Sequence, residues 1–191
     1  MAVGDLLTQI GTVTADGSSA TLSFTSVPAT DSQSFIIRGV CSVSDSSSTD
    51  LRMRFNSDSN TRYFTQTMRS YAGGATTASM ASASYMALGE VPGTSVNVGL
   101  ARAFFYIDLY NLSANGTGSD ESPGNPGFWC QSSGIQNQSS DTEVAFYGGS
   151  YAYSLGAPTG TDVTTISFHL GAGTDNFSSA SRFTLYQRPT S

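Results

Sequence analysis

Lysine is absent from this chain of 191 residues, histidine occurs once, and all eight basic residues are arginine. Charged residues make up only 12% of the chain, and the formal net charge is −6. Helical surfaces are normally built with Lys, Glu and Gln, whereas Ser, Thr and Asn suit strands and turns. The scarcity of long charged side chains therefore argues against a mainly helical protein.

The negative net charge also argues against general nucleic-acid binding, because such binding needs cationic side chains that displace the counterions of phosphate. An apolar run of about 18 residues, which a membrane-spanning helix requires, is absent. The N-terminal stretch MAVGDLLTQI lacks the basic start and long apolar run of a signal peptide. We therefore expect a protein that is made in a cytoplasm and that has neither a membrane nor a nucleic acid as its partner.

Candidates for catalysis are few. A serine nucleophile needs a neighbouring base, and the only histidine, His169, lies in an apolar strand-like run where a structural role is expected. The G-x-S-x-G motif is absent. Among carboxylates that could act as a pair, Asp120 and Glu121 lie in a loop-like segment, and Asp108 lies in an apolar strand where we expect it to have a partner such as an arginine. The sequence thus predicts no enzyme and no catalytic residues.

The two cysteines, Cys41 and Cys130, lie far apart in the sequence. A cytoplasmic product normally keeps its thiols reduced, so we interpret both as small buried apolar residues, with one disulfide as the alternative. A zinc site would need two further ligands, and His169 has no metal-like spacing to either cysteine. We expect no metal site and no cofactor.

A period of two dominates the apolar pattern and predicts strands. It is seen in Ala20–Phe24, Leu51–Phe55, Thr164–Leu170 and Ser181–Gln187, which residues typical of turns separate. Only Ala75–Leu88 could be helical, and its Ser and Thr content leaves helix and strand both open. About nine to eleven strands without a clear helix predict an all-β sandwich or barrel.

Two segments depart from simple alternation within what we expect to be a single domain of residues 1–191. The continuous apolar character of Phe104–Ile107 predicts a central strand that is covered on both faces or lies at a subunit interface. Ser113–Gly127 is rich in Gly and Pro, and a connection of this length is usually functional or disordered. It leads directly into Phe128 and Trp129, the only tryptophan, which we regard as candidates for partner contacts.

The stretch LRMRFNSDSNTRYF gathers three arginines around a run of small polar residues. The alternate Asn and Asp residues of Asn56–Asn60 match the start of an EF-hand loop, but Thr61 replaces the required Gly and Thr67 the required Glu. Asn and Asp are also typical turn residues. The stretch therefore predicts a hairpin turn and not a calcium loop.

Alternation in the same stretch predicts that Arg52 and Arg54 face outward, where they would meet carboxylates or a neighbouring subunit. With Arg62 and the following aromatic residues they could form a stacking platform for nucleic acid. The net negative charge favours a protein interface or a solvated face instead. The core-facing residues are expected to be Leu51, Met53 and Phe55.

Five phrases follow one another along almost the whole chain: SSATLSFTSVPAT (18–30), FIIRG (35–39), LRMRFNSDSNTRY (51–63), FFYIDLYNL (104–112) and TTISFHLGAGTDNFSSASRFTLY (164–186). As an ordered set they resemble a family of bacteriophage virion proteins with a β-jelly-roll domain, found in tail fibres and on capsids. The resemblance implies an antiparallel β-sandwich of jelly-roll type and a structural role.

Because no fibre shaft or coiled coil precedes the domain in this sequence, we expect a capsid decoration protein on the head surface. It would bind the major capsid protein or other virion proteins, form a homotrimer and be located in the virion. The alternative is a tail-fibre tip or carbohydrate-recognition module that binds a host glycan, with Trp129 and tyrosines as stacking platforms. The candidate interface residues are Arg52, Arg54, Arg62, Phe128 and Trp129.

Overall fold

The computed structural model describes residues 7–28, 34–71, 74–93, 102–113, 126–136, 141–151, 162–171 and 175–189. In these ranges the chain forms twelve strands and no helix. The strands are β1 Thr8–Thr14, β2 Thr21–Phe24, β3 Phe35–Cys41, β4 Thr49–Phe55, β5 Tyr63–Tyr71, β6 Gly74–Ala83, β7 Met86–Val91, β8 Ala103–Tyr110, β9 Gly127–Gln136, β10 Asp141–Tyr151, β11 Ile166–Leu170 and β12 Arg182–Gln187.

The strands form two antiparallel sheets. The larger has eight strands in the order β1-β12-β3-β8-β9-β10-β5-β6, and the smaller has four in the order β2-β11-β4-β7. This arrangement confirms the prediction of an all-β protein with antiparallel sheets. The strand β8, which contains Phe104–Ile107, lies between β3 and β9, so the prediction of a central strand is confirmed. Phe104 is 60% exposed, so the expectation that this chain covers both faces of the strand is wrong, and the alternative of a subunit interface stays a prediction.

The strand count exceeds the predicted nine to eleven. Ala75–Leu88, for which the sequence leaves helix and strand open, lies in β6 and β7. The strand β6 is at the edge of the larger sheet and most of its described side chains are exposed. An exposed edge strand needs no apolar alternation, which explains why Ser, Thr and Ala at these positions give no clear strand pattern.

The core lies between the inner faces of the two sheets. In β4 the residues Leu51, Met53 and Phe55 are fully buried while Arg52 and Arg54 are half-buried on the opposite face, as the alternation predicts. The two sheets meet at Phe168 of β11 and Phe183 of β12, whose rings stack with centroids 4.2 Å apart.

The segment predicted as a hairpin turn joins β4 to β5, but these two strands lie in different sheets and do not pair with each other. Asn56 and Ser57 have φ angles of 49° and 57°, a left-handed conformation that asparagine tolerates. The Asn56 side chain accepts hydrogen bonds from the backbone N–H groups of Thr164 and Thr165 and donates to the Asp162 carbonyl. The polar residues of this turn therefore satisfy backbone groups, and the prediction of a turn is confirmed. The prediction of a hairpin is wrong, because Asn and Asp residues indicate a turn but not which strands pair.

Both cysteines are fully buried free thiols, which confirms their interpretation as small apolar residues. Of the predicted loop Ser113–Gly127, residues 114–125 lie outside the described ranges.

Candidate interaction surfaces

The outer face of the eight-stranded sheet carries the large exposed hydrophobic side chains of the described chain. These are Phe104, Met68, Tyr110 and Trp129, with 60%, 52%, 44% and 39% of their surface exposed. Phe104 and Tyr110 alternate with buried neighbours in β8, and the strand pairings place Trp129 and Met68 on the same side of the sheet. We call this surface the aromatic face.

An aromatic row crosses the middle of the aromatic face. Tyr106 of β8 makes an edge contact with Trp129 of β9, with ring centroids 6.3 Å apart. Trp129 in turn packs against Phe146 of β10 at 5.9 Å. Because these residues lie on three adjacent strands, regular alternation alone brings them side by side.

A groove begins beside this row and runs over β10, β5 and β6. It consists of two adjoining concavities of about 530 and 390 Å³, which share Gln66, Ser79 and Gly148. Trp129 and Phe146 line the larger concavity and Tyr110 lines the smaller. The described lining of both concavities is aromatic, aliphatic or neutral polar, with no charged side chain.

The floor of the groove depends on two consecutive glycines. A Cβ atom at Gly149 would overlap the Phe64 carbonyl oxygen on the neighbouring strand, so the close backbone approach requires glycine. A Cβ atom at Gly148 would meet nothing closer than the Phe128 carbonyl oxygen at 3.9 Å. Gly148 is therefore replaceable as far as the fold is concerned, and its missing side chain leaves the groove open.

Charges on the aromatic face are few and partly neutralised. The Arg188 guanidinium donates a hydrogen bond to Asp108 and forms an ion pair with it, so the expectation that Asp108 has an arginine partner is confirmed. The Asp108 hydrogen bond raises the pKa of Arg188. Arg38 lies over the ring of Tyr186, 5.6 Å from its centroid.

The outer face of the four-stranded sheet has a different character and carries Arg52 and Arg54; we call it the arginine face. The Arg52 guanidinium lies over the Tyr85 ring, 4.1 Å from its centroid. The Arg54 Nε donates a 2.9 Å hydrogen bond to the Ser84 carbonyl. Among the described residues neither guanidinium forms an ion pair, although Asp50 and Glu90 lie on the same face of this sheet.

His169 lies beside these arginines on β11, directly opposite Arg52. Its Nδ1 is 3.1 Å from the Thr21 hydroxyl and its Nε2 is 2.9 Å from the Ser167 hydroxyl. Burial lowers the pKa of His169 to about 4, and the charge of Arg54 adds to the effect. At neutral pH the imidazole is therefore uncharged, in keeping with the predicted structural role.

Arg62 does not join the other two arginines. Its Nη1 forms a 3.3 Å ion pair with Asp58, and its side chain is 16% exposed. Asp58 also accepts hydrogen bonds from the Asn60 N–H and the Tyr151 hydroxyl. Arg62 therefore stabilises the β4–β5 turn, and the expectation that it forms a contact surface with Arg52 and Arg54 is corrected.

Phe128 is also placed differently from the expectation. It is 1% exposed and belongs to the core, whereas the next residue, Trp129, is exposed. Adjacent residues of a strand point to opposite faces, so the two aromatic residues could not both reach the same surface. The interface expectation is corrected for Phe128, and it stays a prediction for Trp129, Arg52 and Arg54.

Several residues of these surfaces were not predicted from the sequence. Phe146, Gln66 and Gly148 come together only through the pairing of β9, β10 and β5. The YGGSY motif at 147–151 offered one signal, since two glycines within a strand often mark a close backbone approach. Nothing in the sequence indicated that Tyr85 would lie under Arg52.

In the ranges that the structure describes, no group of three His, Cys, Asp or Glu side chains could hold a metal ion. The same ranges contain no helix that is long and apolar enough to cross a membrane. Comparison of the chain with protein-family models, curated proteins and solved structures found no match.

Proposed function

We propose that this protein is a structural protein of a bacteriophage virion, a jelly-roll β-sandwich that decorates the capsid. It binds the major capsid protein or other virion proteins and assembles as a homotrimer. The class comes from the ordered phrases that resemble virion jelly-roll proteins, and the pair of antiparallel sheets is what such a fold requires. No catalytic residue or cofactor enters this role.

The observation that carries the proposal is the aromatic face. Scattered exposed hydrophobic residues are normal, but a contiguous group of them marks an interaction site. Phe104, Met68 and Trp129 share this face with the row of Tyr106 and Phe146. Aromatic residues and Met are enriched at the centres of protein interfaces, and charged residues are depleted there.

The mechanism is passive. The strands hold the aromatic side chains in place, and association removes their apolar surface from water, which contributes about 25 cal/mol per Å². Binding to a partner also stabilises the folded subunit by mass action. Phe104 is the most exposed of these residues and lies on the central strand β8. The sequence predicted that this strand is covered on both faces or lies at a subunit interface.

The first test is the oligomeric state of the purified protein by analytical ultracentrifugation. We expect a trimer for the unaltered chain and dissociation of Phe104→Ser and Met68→Ser, with little change in melting temperature because both side chains are exposed. Thr184→Ser, on the strand β12 of the same sheet, is the control.

The second test locates the protein by antibody labelling of virions in electron micrographs. Labelling on the head supports a decoration role, and labelling on tail fibres supports the tip. The proposal would be refuted if the purified protein is a monomer, the antibody detects it on no part of the virion, and it binds no virion protein.

A second candidate function is recognition of a neutral host glycan, as a tail-fibre tip would need. The groove beside Trp129 favours it, because its volumes fall in the range of small-ligand sites, about 300–1,000 Å³. Trp129 and Phe146 offer faces for sugar rings, and Gln66 and Ser79 offer neutral hydrogen-bonding groups.

Gly148→Val tests this candidate, because Gly148 lines both concavities and a Cβ atom there would meet nothing closer than the Phe128 carbonyl oxygen at 3.9 Å. If a glycan array detects binding, we expect Gly148→Val and Trp129→Ala to abolish it. Phe104→Ala, an exposed aromatic residue that does not line the groove, should keep it. Absence of binding to any glycan would remove this candidate and leave the first proposal unaffected.

A further inference from the structure

The strand β6 is an edge of the larger sheet and is exposed along most of its length. It pairs with β5 and with no other strand that the structure describes. The side chains of residues 74–79 are all exposed, and the register with β5 is regular from Gly74 to Met80. We call Gly74–Met80 the open edge. The backbone N–H and C=O groups that point away from β5 are therefore accessible to a further strand.

The other three edges of the two sheets carry features that oppose pairing with a further strand. At the opposite edge of the larger sheet, β1 contains a bulge between Gln9 and Gly11. At the edges of the smaller sheet, β2 has only four residues and β7 carries the charge of Glu90. Bulges, short strands and charged side chains are the usual means by which natural proteins prevent edge-to-edge association.

The open edge has none of these features. Its sequence, GATTASM, contains no charged residue and no proline, and its pairing with β5 contains no bulge. A long, flat edge strand without such protection is a template for pairing with another strand. Because the other edges are protected and β6 is not, the difference indicates that pairing at β6 is used.

We propose that the open edge pairs, antiparallel and about a two-fold axis, with the open edge of a second copy of this chain. A two-fold contact joins the same surface of both copies and closes on itself. Like charges at the axis would oppose each other, and the open edge has none. Complete overlap of the two open edges places the axis at Thr77, the middle residue, which then faces the same residue of the second copy.

Main-chain hydrogen bonds carry this contact. An antiparallel pair of this length forms roughly seven inter-strand hydrogen bonds, and a typical protein interface has about 5–15. The side chains of the open edge other than Met80 are small, so the contact buries little apolar surface. We therefore expect a weak association that depends on the protein concentration.

This inference goes beyond the proposed function and does not depend on it. The proposed trimer uses the aromatic face, whereas strand pairing uses the edge of the same sheet, so one assembly can contain both contacts. Edge pairing doubles the mass of the unit that the aromatic face forms, whether that unit is a trimer or a monomer. Phe104→Ser disrupts the face and leaves the open edge unaltered, so failure of one proposal is distinguishable from failure of the other.

The first experiment measures the sedimentation of the full chain over a series of protein concentrations. We expect the mass of the unaltered chain to double as the concentration rises. The variants Thr77→Lys/Ser79→Lys and Thr77→Glu/Ser79→Glu should each need about tenfold higher concentrations to double, because like charges meet across the axis. An equimolar mixture of the two variants should recover the doubling, because opposite charges then meet.

Thr8→Lys is the matched control, because it places the same charge on β1 at the other edge of the sheet. Thr8, Thr77 and Ser79 are exposed, so all these variants should keep the melting temperature of the unaltered chain. Thr8→Lys should double in mass like the unaltered chain. Equal weakening by Thr8→Lys, or a mixture of the charged variants that does not recover, would overturn the proposal.

Disulfide trapping tests the two-fold symmetry in a nearly unaltered sequence. The native thiols are fully buried, so a new exposed cysteine is the one that oxidation joins. A disulfide spans Cα atoms about 4.4–6.8 Å apart, and only the residue at the axis faces its own copy at such a distance. We expect a covalent dimer from Thr77→Cys and little from Thr76→Cys or Ala78→Cys.

Two results of the trapping experiment would overturn the proposal. One is the absence of a covalent dimer at every position of residues 75–79, together with a mass that does not change with concentration. The other is trapping of a different virion protein instead of a second copy, which would assign the open edge to a strand of that protein.

Discussion

The ring of Phe168 in the smaller sheet stacks on the ring of Phe183 in the larger sheet, with 4.2 Å between centroids and 9° between planes. Both side chains are fully buried. A Cβ atom at Gly39 would overlap the Phe183 ring, so the opposite strand also makes room for this pair. The stack is thus a principal contact that holds the two sheets together.

Truncation of the stack should be strongly destabilising. We expect Phe168→Ala to lower the free energy of unfolding by about 3–5 kcal/mol, because it removes a buried ring and leaves a cavity. Phe104→Ala, which truncates an exposed ring, should change it by less than about 0.5 kcal/mol in the dissociated subunit. Urea denaturation followed by tryptophan fluorescence measures both, and similar losses for the two variants would contradict the assigned core.

The two buried thiols should be inert in the folded protein. Complete burial raises the pKa of Cys41 and of Cys130 well above the usual range of a thiol, and the thiolate is the reactive form. We expect no reaction with Ellman's reagent at pH 8 in buffer and two thiols per chain in urea. Rapid reaction of one thiol without denaturant would show that its strand opens locally.

Much of the fold follows from local sequence pattern. The alternation in Leu51–Phe55 predicts which side of β4 is buried, and the Asn and Asp residues of Asn56–Asn60 predict the turn. Both depend on neighbours along the chain, which the sequence displays directly. The expectation that Phe128 and Trp129 both contact a partner was wrong for Phe128. Adjacent residues of a strand face opposite sides of the sheet, so only one of the two could lie at the surface.

The features that escaped prediction depend on strand order. The groove exists because β10 pairs with both β9 and β5, which places Phe146 and Gly148 between Trp129 and Gln66. Arg62 is held by Asp58, whose further partner Tyr151 lies 93 residues away in the chain. The alternation of apolar and polar residues predicts neither relationship, because each joins residues that come together only in the folded sheet.

The Asp58 carboxylate should contribute more to the free energy of unfolding than an ordinary surface carboxylate does. Burial opposes its ionisation, but hydrogen bonds from Tyr151 and Asn60 and the charge of Arg62 lower its pKa overall. We expect Asp58→Asn to lower the free energy of unfolding by about 1–3 kcal/mol, because charge-assisted hydrogen bonds are lost. Tyr151→Phe, which removes one of the hydrogen bonds, should cost about 1 kcal/mol.

Asp50 offers the matched control for Asp58. It is half-buried in β4 and pairs across the sheet with Glu90, a residue of like charge. Asp50→Asn should therefore leave stability unchanged within about 0.5 kcal/mol or raise it slightly. Equal losses for Asp50→Asn and Asp58→Asn in urea denaturation at pH 7 would contradict the special role of Asp58.

His169 should make stability depend on pH below neutrality. Its pKa falls from an ordinary value of about 6.5 to about 4 in the folded protein. Between these values the unfolded chain binds a proton that the folded chain does not, so stability decreases as the pH is lowered through this window. His169→Gln removes the titrating group and should remove this part of the decrease.

The comparison of the two proteins between pH 7.5 and pH 4.5 isolates the effect of His169 from the titration of carboxylates. We expect the unaltered chain to lose about 1 kcal/mol more than His169→Gln, a figure that allows for solvent screening of a half-buried group. An NMR titration of the imidazole checks the cause directly. Parallel stability curves for the two proteins, together with an imidazole pKa near 6.5, would mean that neither burial nor Arg54 disfavours the charged form.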